Sequence, residues 1–142
     1  MNRLSFRSLI YFLTRTRNKR FRYIFTISLT RRETVATYHQ ADIFLFPSMV
    51  ECSPIVLFES LASKTPFLVT DVGNAKEIIS WTQGGKLLST TVDKHGLSHA
   101  NIEESAKLLS DLLHDSVSIS EMQTRGYSSW MKRFTWEEIA SR

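Results

Sequence analysis

Cysteine is nearly absent from this 142-residue sequence, which contains Cys52 alone. The chain therefore cannot form an internal disulfide bond or a cysteine-based metal cluster, and a reducing compartment such as the cytoplasm suits it best. His95 and His99 are four residues apart, but Gly96 and Ser98 between them indicate a loop, so we predict no metal ion. Because no run of eighteen apolar residues exists, the sequence predicts no membrane-spanning helix.

Acidic residues are missing from the first 32 positions, which hold nine of the eighteen basic residues: Arg3, Arg7, Arg15, Arg17, Lys19, Arg20, Arg22, Arg31 and Arg32. The other nine face fourteen acidic residues, so the net charge of +4 comes from the amino-terminal end. Residues 4–16 are predicted to form an amphipathic helix, because apolar residues recur at helical spacing. We favour a core helix ringed by solvated arginines. Peripheral contact with an anionic membrane is the next interpretation, ahead of a nucleic-acid arm or a transit peptide.

The remainder of the sequence has the composition of one folded domain, since 42% of the chain is hydrophobic and no repeat interrupts it. Predicted strands and helices alternate: strands at 21–27, 43–46 and 66–70, a turn at 84–85 into 86–89, and helices at 30–39, 54–63 and 75–81. This order predicts an α/β fold with a parallel sheet flanked by helices. The run Ile43–Phe46 is apolar throughout, which is typical of a strand covered on both faces.

The carboxyl-terminal part is predicted to be mainly helical after a polar loop at 90–100. One helix begins near Asn101 and is expected to bury Ile102, Ala106, Leu109 and Leu113. A second begins at Ser118 or Ser120 and runs to residue 134. Capping boxes, in which a threonine and a glutamate three residues later bond each other's backbone amides, are predicted at Thr30 with Glu33 and at Thr135 with Glu138.

An anion site is predicted where the strand at 43–46 leads into the helix at 54–63. Ser53 can cap that helix, and Pro54 has the backbone angle that a first helical turn requires. The amides of the next two residues, Ile55 and Val56, have no acceptor in the helix, so together with the helix dipole they attract a phosphate. Two carboxylates eight residues apart, Glu51 and Glu59, flank this point. A ligand with hydroxyls on both sides of its phosphates, such as a nucleotide sugar, fits this pattern.

Five ordered sequence blocks resemble retaining GT-B glycosyltransferases of family 4: Ala41–Ser48, Glu51 with Glu59, Ala62–Pro66, Thr70–Ile79 and Gly84–Gly85. A sixth, Thr135–Ala140, is similar to the closing helix of that family. The resemblance implies a Rossmann-like domain at 21–142, preceded by a basic amphipathic segment at 1–20. It covers only the later part of the donor-binding lobe and lacks the arginine and lysine with which the family neutralises the donor diphosphate. We therefore expect an amino-terminally truncated GT-B lobe that is incomplete and inactive alone: a fragment, a remnant, or a subunit whose acceptor lobe a separate chain supplies.

The resemblance also implies individual roles for residues of the site. Glu51 would be the catalytic residue that contacts hydroxyls of the transferred sugar, although it can alternatively cap the following helix. Glu59, which we expect to be buried, would bind the ribose hydroxyls. The other residues expected to bind the nucleotide sugar are Cys52, Ser53, Pro54, Ile55, Val56, Gly73 and Asn74. No metal and no cofactor are implied, because enzymes of this class neutralise the diphosphate with helix dipoles and basic side chains.

Two residues depart from the family pattern, because Cys52 and Lys64 stand where the family prefers glycine. A side chain at 52 occupies space close to the sugar, and a left-handed conformation at 64 costs about 1 kcal/mol. The main alternative is therefore a non-catalytic nucleotide-sugar-binding remnant or interaction module. A sugar-nucleotide epimerase and a basic adaptor for membranes or RNA remain as further alternatives.

Overall fold

The computed structural model describes residues 11–12, 23–24 and 26–141. The chain divides into two compact units, Met1–Thr34 and Val35–Arg142. In the first unit, strand β1 (Tyr11–Phe12) pairs antiparallel with strand β2 (Tyr23–Ile24). The predicted helix at 4–16 is therefore wrong at Tyr11–Phe12, because two adjacent aromatic residues favour a strand once a partner strand is present. Its other residues lie outside the described part of the chain.

Of the strand predicted at 21–27, Tyr23–Ile24 is observed, residues 26–30 are exposed and contain no strand, and residues 21, 22 and 25 lie outside the described part of the chain. Helix α1 (Arg31–Gln40) follows, and it begins as predicted. The amide of Thr30 donates to Glu33 Oε2 at 2.8 Å, and the amide of Glu33 donates to Thr30 Oγ1 at 3.4 Å. This reciprocal pair is a capping box, and it confirms the prediction from the threonine and glutamate spacing.

The second unit contains a parallel sheet of three strands, β3 (Phe44–Phe46), β4 (Phe67–Val69) and β5 (Gly85–Leu87), in the order β3-β4-β5. In register, Leu45 lies opposite Leu68, and Leu68 lies opposite Lys86. Helix α2 (Ile55–Ala62) connects β3 to β4, and helix α3 (Ala75–Thr82) connects β4 to β5. This strand, helix, strand order is Rossmann-like and confirms the predicted fold class.

Burial differs strongly between the strands of this sheet. β4 is fully buried, because it has a strand on each side and helices on its faces. β3 has a hydrogen-bonded neighbour on one side only within the described residues, and Leu45 is 45% exposed. The prediction that helices cover both faces of β3 is thus wrong at Leu45. An apolar run alone cannot distinguish a central strand from an edge strand.

A short hairpin follows the sheet and corrects the prediction of a loop at 90–100. Strand β6 (Thr90–Val92) pairs antiparallel with β7 (Ser98–Ala100). At the turn, Asp93 Oδ1 accepts the amides of His95 and Leu97 at 2.8 and 3.0 Å. Gly96 supplies the left-handed residue that the turn requires, with φ of 80°.

Three helices complete the unit, as predicted: α4 (Ile102–His114), α5 (Ser116–Arg133) and α6 (Trp136–Ala140). Each has a side-chain cap, from Asn101, Asp115 and Thr135 respectively. The helix α5 begins at Ser116 rather than at the serines predicted, because the Asp115 carboxylate caps it. Within residues 26–141, no helix is long and apolar enough to cross a membrane.

The core lies on both sides of β4. Phe67 and Val69 pack against α2 and α3, together with Leu57 and Ile78. Leu68 faces the other side, where it joins a second cluster that includes residues of α4 and α5: Leu112 and Met122. Buried side chains thus anchor both α2 and α3 to the sheet. Removing one such side chain costs about 2–5 kcal/mol of folding stability.

Candidate functional site

The loops that follow β3 and β4 are joined at the carboxyl edge of the sheet. The Asn74 amide donates to the carbonyl oxygen of Cys52 at 3.1 Å. Gly73 has a positive φ of 50°, and a Cβ built at this position would lie 2.2 Å from the same carbonyl oxygen. Only glycine fits such a close approach of two backbones. The fold therefore brings Cys52, Gly73 and Asn74 together, and it places the carbonyl oxygen of Glu51 beside them.

The two helices that begin at this edge have no side-chain cap. The N-cap of α2 is Pro54, whose side chain can donate or accept no hydrogen bond. The prediction that Ser53 caps this helix is wrong, because the helix begins one residue later than expected and the amide of Leu57 bonds to the carbonyl oxygen of Pro54 at 3.1 Å. The amides of Ile55 and Val56 thus face the edge of the sheet without an acceptor in the helix.

Asn74 is the N-cap of α3, and its side chain likewise makes no capping bond. Its Oδ1 atom is buried and has no hydrogen-bond partner. By contrast, side chains cap α1, α4, α5 and α6. Among the helices that the structure describes, the two without a side-chain cap are therefore those that follow strands of the parallel sheet, and both place the positive end of a helix dipole in the same region.

Glu51 is half-buried in the loop between β3 and α2. Its Oε1 atom accepts a hydrogen bond from Ser48 Oγ at 3.0 Å. Ser48 is in turn tied to the sheet, because the Thr70 hydroxyl donates to its carbonyl oxygen. The alternative role of Glu51 as a cap of α2 is wrong, since no side chain caps that helix. Ser48 and Thr70 were not predicted as site residues, because nothing in the sequence shows that residues 22 apart meet.

Glu59 lies in the second turn of α2 and is half-buried, which corrects the prediction of a buried glutamate. The residues of this helix that enter the core are Leu57, Ser60 and Leu61. Glu59 is four residues after Ile55, which is 61% exposed, so both lie on the face that the core leaves open. The apolar residues around Glu59 in the sequence belong to other faces of the same helix.

Lys64 ends α2 in the left-handed conformation, with φ of 60°. The amides of Lys64 and Thr65 bond to the carbonyls of Leu61 and Ser60, which is the Schellman arrangement that usually requires glycine. The lysine ammonium lies 4.8 Å from the centre of the Tyr127 ring. This contact offsets part of the conformational cost.

Charge at the edge of the sheet includes an ion pair, because Lys76 Nζ lies 2.6 Å from Asp71 Oδ2. Lys76 is in the first turn of α3, and Asp71 directly follows Thr70 at the end of β4. The pair therefore places a cation beside the uncapped start of α3. Both side chains are substantially exposed, so solvent and salt screen their attraction.

A groove of about 510 Å³ lies at the opposite edge of the sheet, where β5 begins. Its lining comes from α3, β5 and α5: Ile79, Ser80, Gln83, Gly85, Lys86, Ser118, Glu121, Met122 and Arg125. None of the residues predicted from sequence lines it. In parallel α/β sheets ligands bind outside the carboxyl ends of the strands. We therefore assign the candidate site to the carboxyl edge, with the loops after β3 and β4, and not to this groove.

Metal ligands are not grouped in the described part of the chain. His99 Nε2 pairs with Asp93 Oδ2 at 3.0 Å across the hairpin. No three side chains of histidine, cysteine, aspartate or glutamate within residues 26–141 lie close enough to hold a metal ion.

The chain matches the family model of glycosyl transferases group 1 over residues 10–128. Because this match covers well over half of the chain, the protein belongs to the group 1 glycosyl transferases, a family whose function is glycosyl transfer. The matched region contains all residues of the candidate site. No curated protein and no solved structure matches the chain.

Proposed function

We propose that the chain is the donor-binding part of a retaining GT-B glycosyltransferase of family 4. In this proposal, a sugar moves from a nucleoside diphosphate sugar to an acceptor hydroxyl. The observation that carries the proposal is the pair of uncapped helix starts, at Pro54 and Asn74, on two loops that are bonded to each other. A diphosphate would supply the acceptors that the amides of Ile55 and Val56 lack at the start of α2.

The diphosphate would meet the amides of Ile55 and Val56. The positive ends of the α2 and α3 dipoles would stabilise its charge, and Lys76 in the first turn of α3 could add to it. This arrangement needs no metal ion, because fixed dipoles take the part that a divalent cation has elsewhere. Because Gly73 has no side chain, its backbone could lie close to the ligand, as it lies close to the carbonyl oxygen of Cys52.

The two glutamates would hold the ends of the donor on either side of the diphosphate. The Glu59 carboxylate, on the open face of α2, suits the two hydroxyls of a ribose. Glu51 would bind hydroxyls of the transferred sugar. For retention, the acceptor oxygen would attack from the face that the diphosphate leaves, and the departing phosphate would take the acceptor proton. Glu51 then acts by binding, without forming a covalent intermediate.

A second candidate is a non-catalytic nucleotide-sugar-binding module, which the exposed thiol of Cys52 favours. This side chain stands beside Glu51, where the family prefers glycine. If it blocks the productive position of the sugar, the chain would bind donors without transferring sugar. Turnover measured together with a chain that supplies the acceptor lobe separates the two candidates, since the donor-binding part alone is expected to be inactive.

Saturation-transfer NMR with a panel of nucleotide sugars tests the proposal. We expect at least one member to receive saturation at both its ribose and its sugar protons. Glu59→Ala should strongly reduce the ribose signal, because it should lower the affinity for the nucleotide. The matched control is Glu121→Ala, the same change in the groove at the opposite edge, which should leave the signal intact. Absence of saturation for every nucleotide sugar, or equal loss in both variants, would contradict the proposal.

A further inference from the structure

The carboxylate of Glu51 is held by two successive hydrogen bonds that begin inside the core. Thr70 directly follows β4 and is fully buried, and its hydroxyl donates to the carbonyl oxygen of Ser48. Ser48 Oγ donates to Glu51 Oε1 at 3.0 Å. The first bond joins residues 22 apart, so it fixes the loop after β3 against the neighbouring strand rather than merely shaping a local turn.

The loop is fixed at the next residue as well. The amide of Ser98, on the hairpin, donates to the carbonyl oxygen of Met49 at 2.9 Å. Successive carbonyls, of Ser48 and Met49, are thus bound by separate elements of the fold. The segment that leads to Glu51 is therefore held on both sides by contacts that no ligand needs to supply.

The Ser48 hydroxyl has one proton and two possible acceptors, Glu51 Oε1 at 3.0 Å and the carbonyl oxygen of Val50 at 3.2 Å. The carboxylate is both the closer and the charged acceptor, and charge-assisted bonds are stronger than neutral ones. The proton therefore favours Glu51. A carboxylate has about four lone-pair sites, so Oε2 remains able to accept from a sugar hydroxyl.

We propose that Ser48 and Thr70 are positioning residues that hold Glu51 ready for the donor sugar. Ser48 occupies Oε1 and orients the carboxylate, and Thr70 fixes Ser48. Neither residue touches the sugar. The inference rests on the proposed donor site, and it adds that the site is ordered before the ligand arrives, so less conformational entropy is lost on binding.

Calorimetry on Ser48→Ala and Ser48→Thr tests this role with two ligands, a nucleotide sugar bound by the wild-type chain and the corresponding nucleoside diphosphate. Ser48→Ala should weaken binding of the nucleotide sugar about tenfold, which is the effect of one lost hydrogen bond. It should weaken binding of the bare diphosphate less than about twofold. Ser48→Thr keeps the hydroxyl and should restore affinity to within about threefold of wild type. Equal weakening of both ligands by Ser48→Ala would overturn the inference, since a merely structural role would produce that result.

A double-mutant cycle isolates the path through the carboxylate. In a Glu51→Ala background, Ser48→Ala should have no further effect on the nucleotide sugar, because the hydroxyl no longer has a carboxylate to orient. Additive losses would mean that Ser48 acts independently of Glu51 and would overturn the inference. Thr70→Val, with Thr70→Ser as the control that keeps the hydroxyl, should show the same selectivity for the sugar.

Failure of the donor site itself is distinguishable from failure of the positioning role. A wild-type chain that binds neither ligand refutes the proposed function. Crystal structures of the wild type and Ser48→Ala then decide the remaining point without a ligand. A displaced Glu51 carboxylate in the variant supports the positioning role, whereas an unchanged carboxylate overturns it.

Discussion

The carbonyl oxygen of Cys52 accepts a hydrogen bond from the amide of Asn74, and it lies within 2.2 Å of the position that a Cβ atom at residue 73 would occupy. Cys52 belongs to the loop after β3, and Asn74 is the N-cap of α3 after β4. One carbonyl oxygen therefore couples two loops that come from different strands. Any change that pushes these loops apart should disturb both uncapped helix starts together.

Gly73→Ala tests this coupling directly. The added methyl would lie 2.2 Å from the Cys52 oxygen and would also sit at a φ of 50°, so we expect a loss of about 3 kcal/mol in the free energy of unfolding. Gly96→Ala is the matched control, because its φ is 80° but nothing lies within 4 Å of an added Cβ. It should cost about 1 kcal/mol in denaturant unfolding. Equal losses in the two variants would show that the close approach has no energetic weight.

Glu59→Ala should weaken nucleoside diphosphate binding by about 2 kcal/mol, because charge-assisted hydrogen bonds to the ribose hydroxyls would be lost. A 2′-deoxyribose analogue should be much less sensitive to the same change, since it lacks one of the two hydroxyls. Calorimetry with both nucleotides measures the difference. Identical weakening of the two would place Glu59 away from the ribose.

Cys52→Gly should improve affinity for the full nucleotide sugar by about 1 kcal/mol, because in the proposed site the sulfur and Cβ would occupy space beside the sugar, and glycine flexibility would offset part of the gain. The affinity for the bare nucleoside diphosphate should not change, since its phosphates would bind to the amides of Ile55 and Val56. Titration of both proteins with both ligands checks this. An unchanged affinity for the nucleotide sugar, or an equal gain for the diphosphate, would mean that the sugar lies elsewhere.

Lys64→Gly should be more stable than Lys64→Ala by about 1 kcal/mol. Both changes remove the contact with the Tyr127 ring, but only glycine also removes the cost of the left-handed conformation. The comparison by urea unfolding therefore isolates the backbone term. Equal stability of the two variants would contradict the assignment of strain to this residue.

The hairpin should loosen in acid because of Asp93. Its pKa lies below its ordinary value of 3.8, chiefly because the His99 side chain bonds to it, with further help from the amide of Leu97. A lowered pKa means that the fold favours the ionised form, so the contribution is present above pH 3.8 and is lost as pH falls through the lowered pKa. The protection of the amides of His95 and Leu97 from exchange, relative to their intrinsic exchange rates, should fall in that range, and Asp93→Asn should remove this step. A wild-type hairpin whose exchange shows no such step would refute this.

Features written locally in the sequence could be predicted, and features that depend on distant contacts could not. The capping boxes at Thr30 and Thr135 need only a residue three positions away. Both bonds of the first are present, and of the second the structure shows the bond from the amide of Glu138 to Thr135 Oγ1. Lys64, just after α2, likewise has the left-handed conformation that its position in the sequence predicts. The hairpin was missed because its strands are short and polar, and its position depends on the bond from Ser98 to Met49.

Apolar spacing on α4 predicted its buried face only in part: Leu109 packs against the second core cluster as expected. Ile102 and Leu113 are 82% and 52% exposed, whereas Leu112 is buried beside β4. Which face of α4 is buried depends on the surfaces of α5 and the sheet that it packs against, and the apolar spacing of α4 alone does not specify those surfaces. At the site, the ordered blocks of sequence located the loops, but the bonds that link Thr70, Ser48 and Glu51 required the folded sheet.

The central claim, a diphosphate bound between two uncapped helix starts, is tested most directly by a ¹⁵N NMR titration of the chain with a nucleoside diphosphate. The account predicts that the largest shifts occur at the amides of Ile55, Val56 and Lys76, with small shifts at Glu121 and Arg125 in the opposite groove. Shifts concentrated in that groove, or no saturable shift at any amide, would contradict it.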